Sequence, residues 1–497
     1  MNDEVVRFDW CEEDPFLVGP WRVPASAPAR PFEAPEESEE GVRVGRITSG
    51  RGWPHDLPRI DRLAAVPLIG RDRVGELCSS DEIVLFGDDG SQTLPLCGRS
   101  EARGGSIVWN IDPTRWLQAL LAEDCVADWV RPLASRVPLF NSNRVPQAIR
   151  GLLQPRLEIE RSNAVAFPQV PVDDLVETLR ELCMTLAFDR PAEPLPVWPD
   201  GRRAAVTVTH DVETSWILEP EQRGLLDEIL DAESRLGFRG AWYITASQLD
   251  RRRHAPALGA ILNAGNEIGA HGWNHDAKLD FLSEAAQRRR MQRIEERMLG
   301  LGAEGIRTPW YCRSAQLMSI LPDHFAYSSS VPNASAAFSR TTNSGCCTLF
   351  PYRTVGDFFE LPLTLPPDTG RDPERVYGTL RSLADQIIER RGVVVATLHP
   401  QPYQSAKSEV LRAYSDFLED LQARRGAEIW HATPLEIATR YRNAILDARP
   451  ARSEPLREPE PATLAEPRPD AEAAELEPAS EPEPSAEPLA DPWLPEP

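Results

Sequence analysis

Four short polar motifs punctuate residues 205–400. They read Thr209-His210-Asp211-Val212-Glu213, His271-Gly272-Trp273-Asn274-His275, Arg307-Thr308-Pro309-Trp310 and Thr397-Leu398-His399-Pro400. Two carboxylates, a His-x-x-x-His pair, an Arg and a late His are the parts of a metal-assisted hydrolase. Each motif is weak alone. Their order, and the placement of each at the end of an expected strand, carry the reading.

Alternate residues of a strand share a face, so Asp211 and Glu213 point one way and His210 the other. Two such carboxylates can divide the work, one binding a cation and one taking a proton from water. The plain alternative is an exposed acidic strand end. His271 and His275 are four apart, and one helical turn brings both rings to one side, close enough to share a metal. The alternative is a pair of surface or core histidines. One carboxylate with two imidazoles is a common divalent-metal set that leaves positions open for water.

Arg307 can hold a carboxylate through two parallel hydrogen bonds and so orient a base. Its alternative is a structural surface Arg. Pro309 fixes the backbone and can aim the Trp310 N–H at a developing oxyanion. His399 closes an apolar run, which makes it a candidate general acid. A satisfied core histidine competes evenly with that role. Leu398 can line a small apolar pocket.

These motifs need elements to hold them. Residues 196–447 alternate strand and helix. Strands are expected at Ala204–Thr209, Arg239–Thr245, Glu267–Ala270, Gly305–Thr308, Ala326–Ser329, Asp357–Leu363, Val393–Leu398 and Glu428–His431. Helices are expected at Glu221–Leu236, Ala255–Ala264, Ser283–Leu301, Pro373–Arg390, Ser408–Arg425 and Pro434–Asp447. Val393-Val394-Val395-Ala396 is a continuous apolar run, as in a strand buried on both faces. Repeated βα units imply a parallel sheet or barrel, whose chemistry gathers at the carboxyl ends of the strands. The motifs lie there.

The 497 residues suffice for two or three domains. Residues 1–54 read as a largely flexible segment, Pro- and Glu-rich over 24–42. Residues 55–195 read as an N-terminal α+β accessory domain of unknown role, with strands near Glu82–Phe86, Thr93–Leu96 and Ser106–Asn110 and helices near Thr114–Ala122 and Val172–Leu186. Gly87-Asp88-Asp89-Gly90 after an apolar strand is a hairpin signal rather than a metal site. Residues 448–497 are rich in Pro, Glu and Ala and cannot bury enough surface to offset the entropy of ordering, so a disordered acidic tail is expected.

The net charge of −23 and a pI near 4.9 argue against gripping nucleic acid, which demands basic patches. No run of about 18–20 apolar residues suggests a membrane span. The acidic start, Met1-Asn2-Asp3-Glu4, is no secretory signal, so a cytoplasmic location is expected. The 8 Cys form no CxxC pair, which points away from a zinc ribbon or a redox motif.

The motifs together resemble the polysaccharide deacetylase family, the NodB-homology domain of carbohydrate esterase family 4, over roughly 196–447. The resemblance implies a distorted (β/α) barrel of about seven parallel strands. It implies Asp211 as general base and Arg307 as the residue that orients it. Glu213, His271 and His275 become the metal ligands. Trp310 becomes a groove wall and oxyanion donor, Leu398 the acyl-pocket leucine, and His399 the general acid. One divalent cation is implied, zinc first, with cobalt, manganese or nickel as alternatives. The segment headed by Asp357 loosely resembles the one that steadies the catalytic His. The first motif departs from the family's usual Thr-Phe-Asp-Asp: here the second carboxylate is Glu, one methylene longer, at an Asp-Val-Glu spacing.

The expected function is metal-dependent hydrolysis of a non-peptide C–N amide bond, as N-deacetylation of an amino sugar or glycan. The expected partner is a carbohydrate or small amide substrate, with no nucleic acid and no membrane. One alternative is hydrolysis of another amide, such as a cyclic ureide or imide, on the same scaffold. Another is a non-catalytic carbohydrate-binding module with a relic site.

Overall fold

A computed structural model describes residues 19–22, 32–33, 42–67, 77, 81–88, 93–122, 172–188, 190–276, 279, 282–311, 313–334, 345–366, 373–401 and 408–448. Statements of absence below refer to these residues. All of these residues lie within one unit, Met1–Pro450. The expected acidic tail and most of the expected flexible segment lie outside the described residues.

Numbered along the chain, the strands are β1 (Trp21–Arg22), β2 (Phe32–Glu33), β3 (Val42–Ser49), β4 (Asp61–Pro67), β5 (Glu82–Asp88), β6 (Thr93–Ser100), β7 (Ser106–Trp109), β8 (Glu193–Pro194), β9 (Ala204–Val212), β10 (Gly240–Ile244), β11 (Glu267–Ala270), β12 (Gly305–Ile306), β13 (Tyr327–Ser328), β14 (Tyr352–Arg353), β15 (Phe359–Glu360), β16 (Val393–Leu398) and β17 (Ile429–His431). The main sheet has the order β14-β15-β13-β12-β11-β10-β9-β16, with β17 also on β9. Every neighbouring pair is parallel except β14 with β15. This is a curled, mixed α/β sheet of nine strands. A curled half-barrel sheet is present as expected; eight of its nine strands run parallel, against the expected seven or so, and among the described residues the strand ladder is open between β14 and β16.

That gap is bridged without a strand. The Val393 N–H donates to the Leu349 carbonyl at 2.9 Å. The Thr364 hydroxyl donates to the Val393 carbonyl at 2.7 Å and accepts from the Val395 N–H at 2.9 Å. The buried polar backbone there is satisfied by a side chain in place of a ladder.

All nine residues of β9 are buried, as are all six of β16. β9 pairs with three strands, β16 along one edge and both β10 and β17 along the other. Helices pack their apolar stripes on the outside. Leu226, Ile229 and Leu230 are buried from Arg223–Arg235, and Leu380, Leu383, Ala384, Ile387 and Ile388 from Pro373–Glu389. The last helix, Pro434–Asp447, starts on a capping box between Thr433 and Glu436.

A second sheet, in the order β2-β7-β6-β5-β3-β4, stands in the N-terminal part. It takes in Val42–Ser49 and Phe32–Glu33, ahead of residue 55 where the first folded region was expected to begin. Val42 and Val44, with Arg43 between, are a brief strand signal masked by the neighbouring Pro- and Glu-rich composition. β5 and β6 pair antiparallel, as the Asp-Gly turn implies. The core under this sheet includes Leu175, Val176, Leu179 and Leu182 from the helix Leu175–Phe188, and Cys347 from the segment between β13 and β14. Cys97 and Cys183 are free, buried thiols, and Cys346 and Cys347 are buried as well.

Candidate active site

The site collects where the parallel strands end. Asp211 lies near the end of β9, His271 directly follows β11, Arg307 follows β12 and His399 follows β16. Backbone bonds continue the ladder into these residues. His271 N–H donates to the Ile244 carbonyl at 2.8 Å, and Arg307 N–H to the Ala270 carbonyl at 2.9 Å. The side chains are thus set by sheet register, the stiffest kind of support a fold offers.

Asp211 is 1% exposed and Arg307 0%. Arg307 Nη1 donates to Asp211 Oδ1 at 2.9 Å and to the Thr209 hydroxyl at 2.8 Å. The same nitrogen reaches the Thr397 hydroxyl at 3.3 Å. Nε donates to the Ser329 carbonyl at 2.8 Å, and Nη2 to the Ser329 hydroxyl at 2.9 Å. The guanidinium carbon stands 4.5 Å from the Tyr243 ring centroid. A buried Arg is tolerable only when its donors are spoken for, and here they are. Arg307 holds Asp211 through one oxygen, not the two-pronged pair expected.

The second Asp211 oxygen, Oδ2, is 3.6 Å from His399 Nε2. Burial pushes the Asp211 carboxyl up, but the charge of Arg307, then of His271 and His399, outweighs it and holds the group at about 2. His399 is itself buried, and Leu398 before it is 1% exposed within β16.

His271 Nδ1 is 2.9 Å from the Arg307 carbonyl. A carbonyl only accepts, so Nδ1 carries the hydrogen and Nε2 is left as the lone pair. His275 Nε2 is 3.3 Å from Glu213 Oε1. The His271 and His275 rings are 5.3 Å apart between centroids, and His275 is 5.5 Å from the Trp310 ring. Burial lowers His271 to about 4 and lowers His275, against the pull of Glu213. Both imidazoles are therefore neutral near pH 7, the form that binds metals.

Do these residues fit a divalent cation? In type and protonation they do: two neutral imidazoles, one with its lone pair set by a carbonyl, and a carboxylate. In position, His275 Nε2 and Glu213 Oε1 stand 3.3 Å apart, the spacing of two ligand atoms each about 2.0 Å from one tetrahedral ion, while no group of three or more His, Cys, Asp or Glu side chains among the described residues is gathered as a metal-holding set. The three expected ligands are neighbours but are not closed around one point.

Two left-handed residues shape the mouth. Trp310 has φ +58° and Tyr311 φ +54°. Neither is Gly, so each conformation is costly and is held by its surroundings. Pro309 is buried, and the Tyr311 N–H bonds the Thr308 carbonyl at 3.0 Å. Trp310 is left 49% exposed. Gly272, at φ +72°, lies where a Cβ would stand 2.7 Å from Pro309. Only Gly allows the His271–His275 loop and the Arg307–Trp310 loop to approach this closely.

His210 faces away, as strand alternation requires. Its Nε2 is 3.0 Å from Glu233 on the outer helix, and its ring stacks on Trp242 at 4.0 Å. The expectation for Asp357 is corrected. It is an exposed residue whose partner is Arg442, at 2.9 Å, because its short strand begins only at Phe359.

Sequence reasoning passed over Thr209, Thr397, Ser329, Tyr243 and Glu360. Thr209 and Thr397 were findable, since each sits two residues before a site residue on the same strand face. Glu360 is buried and accepts the Ser330 and Val331 N–H groups at 2.5 and 2.8 Å, which fixes the chain just after Ser329. No sequence signal marks it.

No protein-family model matches the chain, and no curated protein does. Among solved structures the chain is similar to a protein assigned as a polysaccharide deacetylase from Mycobacterium smegmatis, with 21% identity over 50% of this chain and 92% of that one and a TM-score of 0.40. It is similar to the PuuE allantoinase, with 14% identity, 50% and 94% coverage and a TM-score of 0.38. A peptidoglycan deacetylase from Bacillus subtilis shows 13% identity, 50% and 96% coverage and a TM-score of 0.30. At this distance the likeness assigns neither substrate nor metal, and the chemistry rests on the residues.

Proposed function

We propose that this chain hydrolyses a non-peptide C–N amide bond, and that the bond is the N-acetyl amide of an amino sugar or glycan. The observation that carries the reading is the buried arrangement of Arg307, Asp211 and His399. One Asp211 oxygen is tied to Arg307 at 2.9 Å, and the other stands 3.6 Å from His399 Nε2.

Asp211 is ionised at any working pH, which a general base requires. At about 2 it is also a weak base. Bulk water, with a pKa near 15.7, is far out of its reach unless the water is made more acidic. Glu213, His271 and His275 are the residues that would hold a divalent cation, whose chemistry when bound is to polarise a carbonyl and bring water to a pKa of about 7. Zinc is the first candidate for that place, with cobalt, manganese and nickel behind it.

The chain's own groups then have these roles. Asp211 Oδ2 takes the proton as water oxygen bonds to the acyl carbon, while Arg307 keeps Asp211 from rotating. The Trp310 backbone N–H is the donor proposed for the oxyanion, and the exposed indole walls the groove. As the C–N bond breaks, His399 Nε2 gives its proton to the leaving nitrogen. The products are acetate and a free amine. Leu398 is the residue proposed to pack against the acyl methyl group. Residues 55–195 are read as an accessory domain to this centre.

The test is an end-point assay on N-acetylglucosamine oligomers and, in parallel, on small cyclic ureides and imides. Equal amounts of acetate and new amine from the oligomers support the reading. Turnover of the cyclic amides alone moves the activity to the other amide class. Glycan binding without turnover of either class makes the chain a binding module.

A further inference from the structure

The loop that carries His271 and His275 also carries Trp273, and Trp273 belongs to a second cluster. Its indole lies under Arg293, whose guanidinium carbon is 3.9 Å from the ring centroid, with Arg297 at 5.8 Å. These residues, with Arg251 and Glu296, line an open cleft of about 350 Å³. Three guanidinium groups and one carboxylate leave the cleft with a net charge of +2.

The acidic residues of the chain outnumber its basic ones, 77 to 54. Several exposed arginines find carboxylates: Arg223 with Asp227, Arg235 with Glu419, Arg288 with Asp323 and Arg424 with Asp385. Arg251 and Arg293 make no ion pair or hydrogen bond among the described residues. Arg297 spends one nitrogen on the Leu249 carbonyl at 3.1 Å. Glu296 makes no ion pair with the three and accepts instead from Gln292 on its own helix at 3.1 Å. Three like charges are thus gathered, and none is ion-paired with the one carboxylate in the cleft.

We propose that this cleft is a binding site for a phosphate group, separate from the hydrolytic centre. A carboxylate brings one negative charge, whereas a phosphate monoester brings about 1.5 to 2 with three acceptor oxygens, which matches a net +2 and the forked donors of arginine. Arg293, already held over the Trp273 ring, is pre-oriented and loses little freedom on binding. The site is joined to the centre by one loop. The carbonyls of Gly272 and Trp273 accept from Ala246 N–H at 3.0 Å and Ser247 N–H at 2.9 Å, so a phosphate seated beside Trp273 bears on the segment between the two histidines.

Calorimetry with inorganic phosphate, and separately with glucose 6-phosphate, tests this at ionic strength held constant with chloride. Saturable binding is expected, weakened at least tenfold in the double variant Arg251→Ala with Arg293→Gln. It is expected to persist in His271→Ala with His275→Ala, which removes the proposed metal ligands. Tight binding of glucose 6-phosphate alone assigns the site to a phosphorylated sugar, and equal binding of both assigns it to free phosphate. Binding that survives the arginine changes, or that disappears with the histidines, overturns the proposal, as does no saturable binding at all. Both exposed arginines can be replaced without touching the core, and an unchanged melting temperature in the variant confirms that.

Discussion

Arg307 and Asp211 form an ion pair at 2.9 Å with both side chains out of contact with solvent. Everything else at the site is arranged about that pair. Thr209, Thr397 and Ser329 take the remaining guanidinium donors, and Tyr243 covers its face. The pair is better read as a positioning device than as a source of stability, since a buried ion pair seldom outperforms apolar packing.

Breaking it from one side is another matter. Arg307→Ala leaves Asp211 buried without its partner and is expected to cost about 3–5 kcal/mol in urea unfolding. Arg307→Lys keeps the charge, cannot reach Ser329, Thr209 and Asp211 together, and is expected to recover only part of that stability. Either variant is expected to lower kcat far more than it changes KM, because the lost contact orients the base and touches no substrate.

A pH effect is expected away from the centre. Glu177, buried beside Arg180 and Thr348, is pushed up to about 7, first by burial, against the pull of Arg180. Between pH 4.5 and 7 the folded chain holds a proton that the unfolded chain has lost. The contribution is therefore present below about 4.5 and gone as pH rises through about 7, amounting to about 3 kcal/mol. Urea unfolding of the native chain and Glu177→Gln at pH 5 and pH 8 should differ in slope, with the variant flatter. Parallel pH dependence in the two would remove Glu177 from the account.

Trp310 is expected to separate binding from stability. At φ +58° it occupies backbone space that costs an L residue about 1–2 kcal/mol. Trp310→Gly removes that cost and, with it, the exposed wall of the groove. Stability should hold or rise by about 1 kcal/mol less the entropy of the added Gly, while kcat/KM falls. A large loss of stability would contradict the strain seen in this loop.

The metal expectation is a matter of stoichiometry. Elemental analysis of the purified protein should give about one divalent ion per chain, lost in His271→Ala with His275→Ala and reduced in Glu213→Ala. His275 Nε2 and Glu213 Oε1 stand 3.3 Å apart, the spacing of two ligand atoms each about 2.0 Å from one tetrahedral ion, so uptake need not part them. A full complement of metal in the double variant would place the ion elsewhere.

Much of this was legible in the sequence because period-2 and period-3.6 patterns survive in the chain. The helices Ser408–Arg425 and Pro434–Asp447 stand within the expected bounds. Asp211, Arg307 and His399 meet because each ends or follows a parallel strand, and strand ends are readable from apolar runs such as Val393-Val394-Val395-Ala396. What the sequence hid was short or non-local. β12, β13, β14 and β15 are two residues each, too brief for any periodicity. The left-handed turn at Trp310 and Tyr311 uses residue types that avoid such backbone, so local propensity pointed away from it. The bridging of β16 by Thr364 and Leu349 depends on residues about 30 and 40 positions distant, which pattern reading does not see.

The most direct test of the account compares the native chain with Asp211→Asn on N-acetylglucosamine oligomers, following acetate and free amine together. Asn keeps the shape and the hydrogen bond to Arg307 but cannot accept the proton. Stoichiometric acetate and amine are expected from the native chain, and a loss of at least about a hundredfold in kcat from the variant, with metal content unchanged. Undiminished release by Asp211→Asn would show that the buried carboxylate is not the base, and the mechanism built on it would fail.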